Sequence, residues 1–181
     1  MKQYSGYEAA EAFTGDYETL ESGGYVCKIL KVVVEDKDYG ALLRIGFDIA
    51  EGEHKDYFRR LFDKTKVSNP DAKWRGMYYQ TIKEEDLRYF KGFITAIENS
   101  NSGFKWAWDE QKLVGKLFGG VFGQEEYLSD KGGVKLSTKC RFVRSVEQIR
   151  KGIEIPEIKR LSGSNVPANN PTDAVDDTFP F

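Results

Sequence analysis

At 181 residues the chain is long enough for one domain with a sizeable core plus appendages. Its 40% hydrophobic and 31% charged residues fit a soluble globular protein. No apolar run approaches the ~20 residues of a membrane helix, and Met1-Lys2-Gln3-Tyr4-Ser5-Gly6 lacks the apolar stretch of a signal peptide, so neither a membrane helix nor export is expected.

Residues 1–22 are polar and acidic with scattered aromatics (Tyr4, Tyr7, Phe13, Tyr17), and read as a loosely held arm. From Gly23-Gly24 the texture changes. Residues 25–34 are dense in β-branched side chains, and 42–49 place Leu43, Ile45, Phe47 and Ile49 at period two. Turn chemistry at 36–40 joins them as a hairpin. After the charged turn 51–55 a third strand is expected at about 57–64. Residues 65–82 read as irregular, with a turn at Asn69-Pro70-Asp71 and then aromatics set between basic residues.

A helix is predicted over 84–98: Glu84, Glu85 and Asp86 suit the positive end of its dipole, and Leu87, Phe90, Ile94 and Ile97 form a core-facing stripe. A connector carrying Trp106 and Trp108 follows, with both rings expected to cover the core. Strands at 117–127 and 134–146 are joined by a tight turn at 129–133. On the last strand Val134, Leu136, Thr138, Cys140 and Phe142 should be buried, leaving Lys135, Ser137, Lys139 and Arg141 on a basic face. Residues 161–171 have linker composition.

The order strand, strand, strand, helix, strand, strand is that of a five-stranded Greek-key barrel of the oligonucleotide-binding (OB) type, mainly β, with its helix between strands three and four. It also fits a generic antiparallel α+β domain; the turn positions and the tail favour the barrel. The turns at 36–40 and 129–133 fall where that fold places its binding loops. Three regions result: an acidic arm (1–22), an OB-type domain (23–160), and a flexible, disordered linker with an acidic tail (161–181). Charge follows the same division. Against a whole-chain net of −2, the arm has one lysine and five acids and the tail three aspartates and no base, so the body carries a surplus of five positive charges.

The chain ends Asp173-Ala174-Val175-Asp176-Asp177-Thr178-Phe179-Pro180-Phe181. Two phenyl rings and a proline beside acids suit capture by a partner with an apolar pocket and a basic rim. The ending resembles the tail of bacterial single-stranded DNA-binding proteins, departing at Phe179, where those tails usually carry an aliphatic residue. The body, from about Phe13 to Gly152, resembles phage- and prophage-encoded proteins associated with single-stranded DNA binding. That likeness is carried by Gly23-Gly24-Tyr25, Phe47-Asp48-Ile49-Ala50-Glu51-Gly52 and Leu113-Val114-Gly115-Lys116. The resemblance implies an OB-like fold, single-stranded DNA as ligand, and a tail (Asp173, Asp176, Asp177, Phe179, Pro180, Phe181) that recruits replication, recombination or repair proteins.

Such binders need cations along the phosphates and flat side chains on which bases stack. Three groups qualify. The first is Tyr39, Arg44, Tyr57, Arg59 and Arg60, with Arg44 expected to be solvent-exposed. The second is the basic ladder Lys135, Lys139 and Arg141 with Lys131 at the turn. The third is Lys73, Trp74 and Arg75 with Tyr78 and Tyr79. For Tyr57 and Trp74 the alternative is a place in the core, Trp74 plugging one end of the barrel. Catalysis has little foothold: His54 is the lone histidine, expected on the surface, and neither Cys27 nor Cys140 has metal or redox spacing. The expectation is a cytoplasmic protein (in the host cell if phage-encoded) without enzymatic activity, metal or cofactor, compatible with a homo-oligomer. The alternatives are a protein–protein or phage-assembly module built on a barrel and, more remotely, a small nuclease.

Overall fold

The structure, a computed structural model, describes residues 5, 7, 8, 19–129 and 132–161. Most of the arm, Lys131 and the acidic tail lie outside the described residues. β1 (Gly23–Lys37) and β2 (Gly40–Ile49) form a long hairpin, β3 (Met77–Ile82) pairs with β2, and β4 (Leu117–Leu128) and β5 (Val134–Arg144) form a second hairpin. All neighbours are antiparallel, in the order β3-β2-β1-β4-β5. Helix α1 (Tyr57–Ser68) lies between β2 and β3, α2 (Arg88–Ser100) between β3 and β4, and α3 (Val146–Lys151) after β5. β4 thus returns to lie beside β1 after α2 and a 3₁₀ turn at Glu110–Leu113.

Period-two alternation sets the core. Cys27, Ile29, Val32, Leu43, Ile45, Phe47, Ile49, Phe118 and Phe122 point to one face and are buried together. A bulge between Ile29 and Lys31 keeps Val32 on that face. Phe47 sits at the centre, its ring edge-on to Phe58, Phe118 and Phe122 at 5.4, 5.4 and 6.0 Å. α2 contributes Phe90, Phe93, Ile94, Ala96 and Ile97, with Phe93 stacked on Tyr78 of β3 at 6.0 Å. Leu20, from the end of the acidic arm, also joins this core. Gly120 is required by close approach: a Cβ there would stand 2.7 Å from the Phe122 ring and 3.1 and 3.3 Å from the Cys27 and Cys140 sulfurs. Both thiols are free, and burial pushes their pKa values up, that of Cys140 to about 12.

The expected closed barrel does not form. Although Cα atoms of β3 and β5 come within 8 Å of one another, no ladder joins these two strands among the described residues. α2 packs against both of them, and β3 is only 6 residues long.

The third strand expected at 57–64 is helix α1. Its N-cap residue, Asp56, is left-handed and provides no side-chain cap. Asp48 of β2 replaces it, its carboxylate accepting from the backbone N–H groups of Ile49 (2.8 Å), Phe58 (2.9 Å) and Arg59 (3.0 Å). Burial raises the Asp48 pKa against the lowering effect of those donors. The strand that follows β2 is instead Met77–Ile82, within the stretch read as irregular.

α2 starts at Arg88, so Glu84 and Glu85 precede it, and Leu87 is exposed. Asp86 pairs with Arg88 at 2.8 Å, and that hydrogen-bonded guanidinium holds its carboxyl down at about 2. On β5, a bulge at Arg141 shifts the alternation, so that Cys140 and Val143 face inward and Phe142 is exposed; Val134 and Leu136, nearer the hairpin turn, are exposed as well. The strand ends at Arg144, and Val146 begins α3, whose capping box is Ser145 with Gln148. No helix among the described residues is long and apolar enough to cross a membrane.

Candidate nucleic-acid interface

The face of β1, β2 and β3 opposite the core is ordered by register into three cross-strand rows: Lys31–Gly46–Met77, Val33–Arg44–Tyr79 and Glu35–Leu42–Thr81. Arg44 stands at its centre with Tyr79 directly beside it. The sequence placed Arg44 on the correct face, but it is only 8% exposed rather than open to solvent. β2 is flanked by strands on both sides, and the guanidinium lies along the sheet, donating to Glu35 at 2.6 Å. Glu35 also pairs with Lys37 at 2.8 Å; Lys37 first and Arg44 second hold its carboxyl below the usual range.

One end of this face carries Tyr39, at the tip of the β1–β2 turn and 47% exposed, with the Lys83 ammonium 5.9 Å from its ring centroid. Gly40 makes the tip possible: at φ 125°, a Cβ would lie 2.2 Å from the Ile82 carbonyl oxygen. The segment leading into β3 brings Lys73 and Arg75, both exposed. Trp74 between them is no stacking platform. It is 3% exposed, and its indole N–H donates to the carbonyls of Phe47 (3.2 Å) and Gly76 (3.1 Å).

Three other expected site residues move with α1. Tyr57 is buried, Arg59 is half-buried, and Arg60 is exposed with its guanidinium donating to the Lys55 carbonyl. They lie on a helix, not on both faces of a strand. His54 is not a solvated surface residue; it is half-buried, edge-on to Tyr25 at 5.7 Å and Tyr57 at 6.3 Å.

The basic ladder on β5 is largely engaged within the chain. Glu125 lies 3.9 Å from both Lys139 and Arg141 and 3.5 Å from Lys159, and Arg141 donates to the Glu157 carbonyl at 2.6 Å. Lys135 is exposed on the same strand. Phe142 stands outward between Arg141 and Arg144, at 5.5 and 5.7 Å. Lys131 and Asp173, Asp176, Asp177, Phe179, Pro180 and Phe181 lie outside the described residues.

Arg44 and Tyr79 thus share the outer face, with Tyr39 at its rim. Lys73 and Arg75 instead line a small pocket with Phe58, Leu61, Phe62 and Thr65 of α1, and Lys135, Lys139 and Arg141 lie on β5. The sequence reading did not single out Lys31, on the outer face, or Lys83, beside Tyr39. The signal for Lys83 was its place at the end of a short aromatic strand; the signal for Lys31 was hidden by the bulge. Among the described residues no group of three or more His, Cys, Asp or Glu is arranged to hold a metal ion. The chain matches no protein-family model and no curated protein.

Proposed function

We propose that this protein binds single-stranded DNA with little sequence preference, using the outer face of β1–β2–β3, and recruits replication or recombination proteins through its acidic C-terminal tail. The observation that carries the reading is the Arg44–Tyr79 pair on the outer face of a sheet ordered β3-β2-β1-β4-β5 with a helix between β3 and β4. That order is a Greek key with a fifth strand added, and it is the order of the OB arrangement. We take the sheet as an OB-type fold left open between β3 and β5.

In this reading Tyr79 and Tyr39 supply faces for unpaired bases, and Lys31 and Lys83 supply charge for phosphates. Arg44, held by Glu35, keeps Tyr79 flanked by positive charge. The surplus of positive charge in the body, set against acidic ends, supports the same division of labour. The protein acts by binding alone, without catalysis, in the cytoplasm of a cell or of a phage-infected host. Titrating labelled oligo-dT and a duplex of equal length at two salt concentrations tests this. Tighter binding to the single strand, weakening as salt rises, is expected; equal affinity for duplex or no salt dependence contradicts it.

A further inference from the structure

The connector between α2 and β4 carries an arrangement that the sheet-face reading does not use. Trp108 is 74% exposed and has φ 57°, a left-handed backbone that a bulky side chain rarely adopts. Its ring lies 6.1 Å from Trp106 and 6.0 Å from Phe90, so one edge is supported from below while much of its surface meets solvent. On the same connector, an open groove of about 480 Å³ is lined by Ser102, Gly103, Phe104, Lys105, Lys112 and Lys116. All of its charged lining is positive. Lys116 sits 4.9 Å from the Phe104 ring centroid. Lys105 and Lys112 reach acids only at 3.6 Å (Glu98) and 3.7 Å (Asp109) and are well exposed, so both pairs are weak and exchangeable. The connector rejoins the sheet where Lys116 accepts from Ile29, beside the β1 bulge that carries Lys31.

We propose that this connector is a second contact surface for single-stranded polynucleotide, with Trp108 as a platform for a base and Lys105, Lys112 and Lys116 as partners of its phosphates. An outward indole packed on Trp106 and Phe90, on the same connector as cations only weakly paired with acids, offers the two kinds of contact that sequence-tolerant single-strand binding uses. A purely structural tryptophan gains nothing from exposure in a strained conformation. The proposal rests on the single-strand reading above and extends the path of the strand from the sheet across Lys31 to the connector.

The chain's three tryptophans make the test direct, because Trp74 is buried, Trp106 half-buried and Trp108 exposed. Oligo-dT is titrated into the full chain while tryptophan emission is followed. Saturable quenching is expected in the wild type, losing most of its amplitude in Trp108→Ala with affinity reduced about tenfold, whereas Trp108→Phe stays close to wild type. The Lys105→Ala/Lys112→Ala variant is expected to flatten the slope of log K against log salt by about 1.4, at about 0.7 per phosphate contact. If Trp108→Ala fails to fold, the lysine variant decides by its slope, since both side chains are exposed. Wild-type affinity and slope in these variants, with binding weakened by Tyr79→Ala, overturn the proposal and leave the sheet reading standing. Absence of oligonucleotide binding by the wild type overturns both.

Discussion

Arg44 of β2 and Tyr79 of β3 are register partners on the face of the sheet turned away from the core, and Arg44 is held in place by Glu35 of β1 at 2.6 Å. An ion pair across two strands thus fixes a cation beside an aromatic ring in the middle of a sheet. Stacking one base on such a ring contributes about 1–3 kcal/mol. Tyr79→Ala is therefore expected to weaken oligo-dT binding by about 5- to 150-fold while Tyr79→Phe, which keeps the ring, retains most of it; fluorescence anisotropy separates the two. Equal losses in both variants would mean that the hydroxyl, not the ring, matters.

The Glu35 cluster gives a pH signature. Its carboxyl is held below the ordinary glutamate range by Lys37 and Arg44, so folding is favoured by its ionised form. The contribution is fully present above the unfolded value, about 4.3, and is lost as pH falls through the depressed folded value. The stability difference between wild type and Glu35→Gln, measured by urea unfolding, should be largest near neutrality and shrink below about pH 4. A difference that grows on acidification contradicts this assignment.

Asp48 is the surrogate cap of α1, accepting from three backbone N–H groups. Asp48→Ala leaves buried donors without partners and is expected to destabilise the fold by about 1–3 kcal/mol, with Asp48→Asn in between. Faster amide exchange confined to the first turn of α1 and to Ile49 would localise the effect.

Gly120 has the Phe122 ring and two thiols where a side chain would begin. Gly120→Ala should destabilise by about 1–3 kcal/mol through overpacking, read as a lower urea midpoint at unchanged slope. Cys27 and Cys140 should react slowly with a thiol reagent in the native wild type, since burial disfavours both thiolates, and faster in Gly120→Ala.

Deleting residues 173–181 removes three aspartates. On the proposed division of labour, DNA affinity is unchanged or rises, because negative charge no longer competes for the basic face, while capture of replication proteins by the immobilised chain is lost. A tenfold loss of DNA affinity would place the tail within the binding domain instead.

Where local pattern and tertiary context agree, the sequence was readable. The alternation Leu43, Ile45, Phe47, Ile49 and the turn before it define the β1–β2 hairpin, and the stripe Phe90, Ile94, Ile97 defines α2. Tyr57-Phe58-Arg59-Arg60-Leu61-Phe62 favours a strand by its aromatics, yet its apolar positions also recur at helical spacing. The choice was made by Asp48, distant in sequence, which caps the helix. β3 was missed because a polar residue, Gln80, occupies one of its inward positions. The β5 bulge at Arg141 turned Phe142 outward, which no periodicity reveals. For the candidate site, residue types were legible and placement was not. Trp74 and Tyr57 went to the core, and Trp108, expected to cover the core, came out to solvent.

The central claim is that single-stranded DNA lies on the outer face of β1–β2–β3. Photo-cross-linking a bromodeoxyuridine-substituted oligonucleotide to the full chain, with the attached peptides mapped by mass spectrometry, tests it most directly. Cross-links at Tyr79 and Tyr39 are predicted. Cross-links confined to β5 and α3, or none at saturating oligonucleotide, contradict it.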